Sequence, residues 1–284
     1  LGLGYLAICA YAATVLTTPP RNVDLENTPA KFGVAFSEVR FASRTPGIEL
    51  AGWHLLSPGA DRALVMVHGH TSSRTTEFQG RFVDLVVALH QRGFTVLAFD
   101  LRGHGASGAA NTGFGALEHA DVSGAIDWLR TQGFPDERIG VFGVSMGGMA
   151  AIRAVADAPQ IAALVTDSTP PAVLAVVQRE WASASGLPDF FLPTTLWIAR
   201  SNYGLDLAAA PARAVLPRVA PRPVLLIHGA ADELVPLAEA DTLAAALPSA
   251  ARWVVPGAPH AESFLADPVA YATRVGDFFS QQIP

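Results

Sequence analysis

From Arg62 onward the chain alternates short apolar runs with longer amphipathic ones. Ala63 to His68 reads as a buried strand, Phe78 to Arg92 as an amphipathic helix, Thr95 to Phe99 as a strand and Gly115 to Thr131 as a helix. Ile139 to Phe142 is again strand-like, and Met149 to Asp157 is an Ala-rich helical stretch. A strand ending at Val165, two more at Pro223 to Ile227 and Arg252 to Val255, and a helix from Val269 to Gln281 complete the series. Apolar strands alternating with helices predict an α/β fold, a mostly parallel sheet with helices on both faces. Ahead of this series, Val34 to Phe41 and Glu49 to Leu56 alternate with period two around Thr45-Pro46-Gly47, which predicts an antiparallel pair. In such a sheet, functional residues collect at the carboxyl ends of the strands.

Two stretches depart from the rhythm. Leu1 to Leu16 is almost wholly apolar and is closed by Thr17-Thr18-Pro19-Pro20-Arg21. It is slightly short for a complete membrane helix, and the sequence begins without methionine, so residues 1–21 read as the tail of an N-terminal anchor or signal sequence. That places the protein on a membrane through residues 1–18 or in the exported cell envelope; the alternatives are a helix docked on the domain and a cytoplasmic protein. Residues 22–33 are polar and proline-bounded, a linker. The second departure is residues 168–220, too long for a simple crossover and carrying Trp181, Phe190, Phe191, Trp197 and Tyr203. An insertion there predicts a small helical cap whose aromatics line a substrate pocket; otherwise they pack against one another. The catalytic domain is expected over residues 34–284.

Half of the 284 residues are hydrophobic and 15% are charged, which allows a large core and argues against disorder. A net charge of −6 without a basic block excludes nucleic acid as the expected partner. Cys9 is the only cysteine, so no internal disulfide or thiol metal site is expected. It makes a poor lipobox, because Ile8 stands where a small residue is wanted. His68 and His70 have no third ligand at suitable local spacing, so neither a metal nor a cofactor is called for.

The chemistry centres on Gly143-Val144-Ser145-Met146-Gly147, lying between an apolar strand and a helix. A serine nucleophile must stand clear of the backbone, and a sharp strand-to-helix turn achieves this by holding it in a strained conformation. The residues two places either side must be small, and both are glycine. Asp232 and His260 follow in that order, each a few residues past a strand-like run.

Four blocks resemble the α/β-hydrolase superfamily over residues 34–284. Val67-His68-Gly69-His70-Thr71-Ser72 is similar to its oxyanion loop, and Asp100-Leu101-Arg102-Gly103-His104-Gly105-Ala106-Ser107 to its Asp-x-Arg-Gly-His-Gly-x-Ser loop. The elbow at Ser145 is the third, and Asp232 with His260, in the family's chain order, is the fourth. More narrowly, the chain resembles bacterial hydrolases with a hydrophobic N-terminal segment. The resemblance implies a serine esterase acting on a small-molecule carboxylic ester, with Ser145 as nucleophile, His260 as base and Asp232 as orienting acid. The backbone N–H groups of His70 and Met146 are the implied oxyanion donors. Asp167 is an alternative position for the acid. Asp100 and His104 are expected to buttress their loop, and Glu262 to be a loop carboxylate. The same triad would support an amidase or peptidase, and the fold alone a non-catalytic binding protein. An aspartate-nucleophile dehalogenase is excluded by serine at 145.

Overall fold

The computed structural model describes residues 2–209 and 211–284. Leu1, at the start of the expected anchor, and Ala210, within the expected cap interval, lie outside the described residues. Eight strands form one sheet: β1 (Ser37–Ala42), β2 (Glu49–Leu55), β3 (Ala63–Val67), β4 (Thr95–Phe99), β5 (Ile139–Val144), β6 (Ala163–Asp167), β7 (Val224–Gly229) and β8 (Ala251–Val255). Their order is β1-β2-β4-β3-β5-β6-β7-β8. The pairs β1–β2 and β2–β4 are antiparallel, and every later pair is parallel.

The helices are α1 (Gly2–Thr17), α2 (Phe82–Gln91), α3 (His119–Thr131), α4 (Met146–Asp157), α5 (Val173–Ser185), α6 (Leu192–Tyr203), α7 (Ala212–Val215), α8 (Leu237–Ala246), α9 (Ser263–Ala266) and α10 (Pro268–Gln282). β3 to β7 are buried throughout, as expected of strands covered on both faces. Alternate residues of β3 feed two cores. Ala63, Val65 and Val67 join the layer with α3 and α4, whereas Leu64 and Met66 join the layer with α2 and α10.

Helix α2 begins at Phe82 rather than Phe78, because Phe78, Gln79 and Gly80 all have positive φ and cannot continue a right-handed turn. Helix α3 likewise begins at His119 and not Gly115, whose φ is +89°. Helix α8 occupies the β7–β8 crossover, where the sequence pattern signalled nothing.

The largest difference lies at the N-terminus. Helix α1 packs along α6, with Tyr5 stacked on Phe191 at 5.1 Å between ring centroids and hydrogen-bonded to Thr194 Oγ1 at 2.8 Å. Thr14 Oγ1 meets Tyr203 Oη at 2.8 Å. The segment after α1 is also tied down. Thr112 N–H donates to Thr17 O at 2.8 Å, Arg21 Nε to Gly105 O at 3.2 Å, and Asn22 Nδ2 to Thr71 O at 2.9 Å. Membrane anchoring through residues 1–18 therefore finds no support in this arrangement. Among the described residues no helix is long and apolar enough to cross a membrane, and Cys9, Ala12, Ala13 and Thr17 are buried against the protein itself.

Candidate active site

Ser145 follows the last residue of β5 and caps α4 at φ 50°, ψ −114°. A positive φ at a non-glycine residue is strained. The turn is held because Ser145 N–H donates to Asp167 O at 2.8 Å, continuing the β5–β6 pairing. The flanking glycines are required by close approach. A Cβ on Gly143 would lie 2.5 Å from Gly147 O, and one on Gly147 would lie 2.3 Å from His68 O. Only a turn this tight brings β5, α4 and the end of β3 together under one serine.

Asp232 lies three residues beyond β7, and His260 five beyond β8. His260 Nε2 is 2.9 Å from Ser145 Oγ, and its Nδ1 is 2.8 Å from Asp232 Oδ2. Asp232 Oδ1 accepts from Val235 N–H at 2.7 Å, which fixes the carboxylate plane. A carboxylate at Nδ1 and a hydroxyl at Nε2 suit the tautomer whose Nδ1 proton points at Asp232 and whose Nε2 accepts from Ser145 Oγ. Asp167 is placed elsewhere. Its wholly buried carboxyl accepts from Tyr271 Oη at 2.8 Å, Ser263 Oγ at 2.9 Å and Ser168 Oγ at 3.0 Å. Burial raises its pKa, against the pull of those hydroxyls.

The loop after β3 lies against the elbow: a Cβ on Gly69 would be 3.4 Å from Ser145 Cβ. Among the described residues the backbone N–H groups of His70 and Met146 donate to no protein acceptor, and both residues line the same cavity as Ser145. Glu77 holds the loop from behind, accepting from Gly69 N–H and from Ser72 Oγ at 2.7 Å; burial raises its pKa. His68 accepts from Leu101 N–H at 3.0 Å through Nε2, and its Nδ1 faces Gly69 O at 2.7 Å. Burial foremost, aided by His104, pushes His68 well below the usual histidine range. His70, whose ring packs 4.5 Å from that of Phe114, is lowered to about 4, chiefly by desolvation.

The Asp100 loop is a buttress. Asp100 accepts from the N–H groups of Arg74 and Ala106, each at 2.8 Å, and pairs with the Arg74 guanidinium. His104 Nδ1 faces Arg102 O at 2.7 Å, and Arg102 is paired with buried Asp121. Glu262 accepts from Gln79 Nε2 at 2.9 Å in an exposed loop contact.

Ser145 opens into a cavity of about 1000 Å³. The five aromatics expected to line it divide. Trp181 does; the structure places Phe190, Phe191, Trp197 and Tyr203 outside the lining. Phe190, Phe191 and Tyr203 instead contact α1, and Trp197 is exposed. The wall those aromatics were expected to form is supplied by α1 and by aliphatic residues of α5.

A family model described as the alpha/beta hydrolase fold matches residues 62–191. An uncharacterised protein of Mycobacterium tuberculosis, Rv2307c, is 31% identical over 225 residues, which cover 78% of this chain and 71% of its own. The chain belongs to the α/β-hydrolase superfamily. The human serine hydrolase BPHL is 27% identical over 244 residues, 78% of this chain and 80% of that one. Among solved structures, the esterase Pf2001 of Pyrococcus furiosus superposes with a TM-score of 0.77 at 27% identity, covering 95% of this chain and 99% of that one. For this superfamily member the fold and its esterase neighbour support a hydrolase acting on small molecules.

Sequence reasoning missed two parts of this site. Glu77 carries no local motif, because its role depends on a loop that folds back onto it. The lining face of α1 (Ala7, Ile8, Tyr11, Ala12, Val15 and Leu16) recurs at helical spacing. In a segment apolar on every side that spacing gave no contrast to read.

Proposed function

We propose that the protein is a serine hydrolase that cleaves carboxylic esters through an acyl-enzyme. The observation that carries this reading is the unbroken relay from Asp232 through His260 to Ser145, at 2.8 and 2.9 Å, on a strained elbow facing an apolar cavity. Ser145 Oγ attacks the ester carbonyl while His260 Nε2 takes its proton. The C–O bond to the alcohol then breaks, and His260 returns the proton to the departing oxygen. Water repeats the sequence on the acyl-enzyme, releasing the carboxylic acid and restoring Ser145. Asp232 keeps the imidazole in the reactive tautomer and balances its charge when protonated. The N–H groups of His70 and Met146 are the proposed donors to the oxyanion. His70, being neutral above about pH 4, places no cationic side chain beside that oxygen, so the backbone amides carry the stabilisation.

The test is turnover of p-nitrophenyl butyrate by the full chain and by Ser145→Ala. Turnover that disappears with Ser145→Ala in a folded protein supports the reading. No turnover by the wild type on any p-nitrophenyl ester from acetate to palmitate, or equal turnover by both, contradicts it.

A further inference from the structure

The cavity at Ser145 is walled by α1 and α5, and the direction of α1 along it follows from how that helix is tied down. The C-terminal end of α1 lies by the oxyanion loop, since Asn22, five residues on, donates to Thr71 O. Its N-terminal end lies by Phe190 and Phe191, on which Tyr5 stacks. The lining residues of α1, from Leu16 back to Ala7, therefore lead away from the nucleophile. α5 lines the cavity with Val173, Val177, Trp181 and Ala184 and leads the same way: its start follows Asp167, whose carbonyl accepts from Ser145 N–H, and its end leads to Phe190 and Phe191.

We propose that this groove binds the acyl chain of a long-chain carboxylic ester, laid between α1 and α5 with its carbonyl at Ser145. The inference rests on the ester-hydrolase reading and adds the substrate class. Three observations support it. The first is length: from Leu16 to Ala7 the helix rises ~14 Å at ~1.5 Å per residue. An extended chain advances ~3.5 Å per three bonds, so that distance accommodates about twelve bonds of an acyl chain. The second is chemistry. Glu180 is the one formally charged side chain among the described lining residues, which disfavours an anionic ligand and leaves an aliphatic one. The third is exposure. Ile8, Tyr11 and Val15 line the groove, yet are 41%, 73% and 55% exposed. Large apolar side chains on a groove wall gain most when an apolar ligand covers them. The groove's volume of about 1000 Å³ exceeds what such a chain needs, at ~30 Å³ for each water-sized group.

The experiment measures kcat/KM for p-nitrophenyl acetate, butyrate, decanoate, laurate and palmitate, using the full chain in mixed micelles. Wild type should prefer decanoate or laurate to acetate by about tenfold or more. Ala184→Trp and Ala7→Trp place bulk at the far end of the groove on exposed positions, with thermal melts confirming the fold. Each should lower the laurate-to-butyrate ratio by roughly tenfold, whereas Leu3→Ser, on the same helix but off the groove, should leave that ratio as in wild type. Turnover that peaks at acetate or butyrate overturns this inference and leaves the ester-hydrolase reading standing. Ratios unmoved by either groove substitution do the same. Absence of turnover on every ester overturns both.

Discussion

Asp167 and Asp232 are two aspartates at the ends of neighbouring strands, and exchanging each for asparagine should separate stability from catalysis. The Asp167 carboxyl accepts three hydroxyl hydrogen bonds, from Tyr271, Ser263 and Ser168, in a fully buried site. Hydrogen bonds to a charged acceptor contribute ~1.5–3 kcal/mol each, against ~0.5–1.5 for neutral partners, so the amide forgoes about 1 kcal/mol per bond. Its NH2 also turns a donor toward hydroxyls that were donating. Against this, the amide avoids the burial cost recorded in the raised pKa of Asp167. The net loss is about 2 kcal/mol, or a fall in Tm of about 4–8 °C for a protein near this size. The Asp167 carboxyl reaches the loop that carries His260 through Ser263 and through Ser168, whose Oγ accepts from Ala261 N–H at 3.0 Å, so kcat should change by less than about tenfold. Asp232→Asn should do the opposite. The amide oxygen can still accept from Val235 N–H, which preserves the fold. The imidazole, however, loses the carboxylate at Nδ1, a change that costs ~10⁴ in kcat where it has been measured in such a triad. Circular dichroism melts and p-nitrophenyl butyrate kinetics on both variants give the crossed result directly. Asp167→Asn losing 10⁴ in kcat at unchanged Tm, with Asp232→Asn near wild type, would refute the assignment of the acid.

Ser145→Ala should fold normally and lower ester turnover by about 10⁴–10⁶, measured by steady-state hydrolysis beside a melting curve. Gly147→Ala should lose about 2–4 kcal/mol, or fail to fold, because its methyl would meet His68 O at 2.3 Å; chemical denaturation checks this. Burial lowers His70 to about 4 and holds His68 well below the usual histidine range, so both stay neutral in the folded protein while the unfolded chain takes up protons. Their contribution is therefore complete above about pH 6.5 and is lost as pH falls toward 4, on the order of 2–3 kcal/mol from His70 alone. Urea unfolding across that range should show His70→Gln losing less stability than wild type as the pH falls; an equal slope in the variant contradicts burial of the His70 imidazole as the cause.

Much of this architecture was legible because its signals are local. Strands buried on both faces are continuous apolar runs, and those of β3, β4 and β5 stand where the pattern puts them. The serine, aspartate and histidine were readable because each follows a strand end by a few residues, and a parallel sheet gathers such ends. What depended on distant partners was not legible. The start of α2 is set by three left-handed residues, of which only Gly80 is marked by its identity. The five aromatics singled out in residues 168–220 gave no sign that three of them would contact α1 while Trp181 alone of the five reached the cavity. The uniform apolarity of α1 suits a membrane segment and a docked helix equally. Only the contacts of Tyr5, Thr14 and Thr17 with the domain distinguish the two.

The central claim is that Ser145 is a nucleophile activated by His260. A fluorophosphonate probe tests it without knowledge of the natural ester, since it bonds covalently to a serine whose proton can be removed. The full chain is incubated with the probe and digested, and the adduct is located by peptide mass spectrometry. Stoichiometric labelling on Ser145, lost in His260→Ala while the protein remains folded, is the expected result. An unlabelled wild type, or an adduct on Ser145 that forms as fast without His260, would contradict the account.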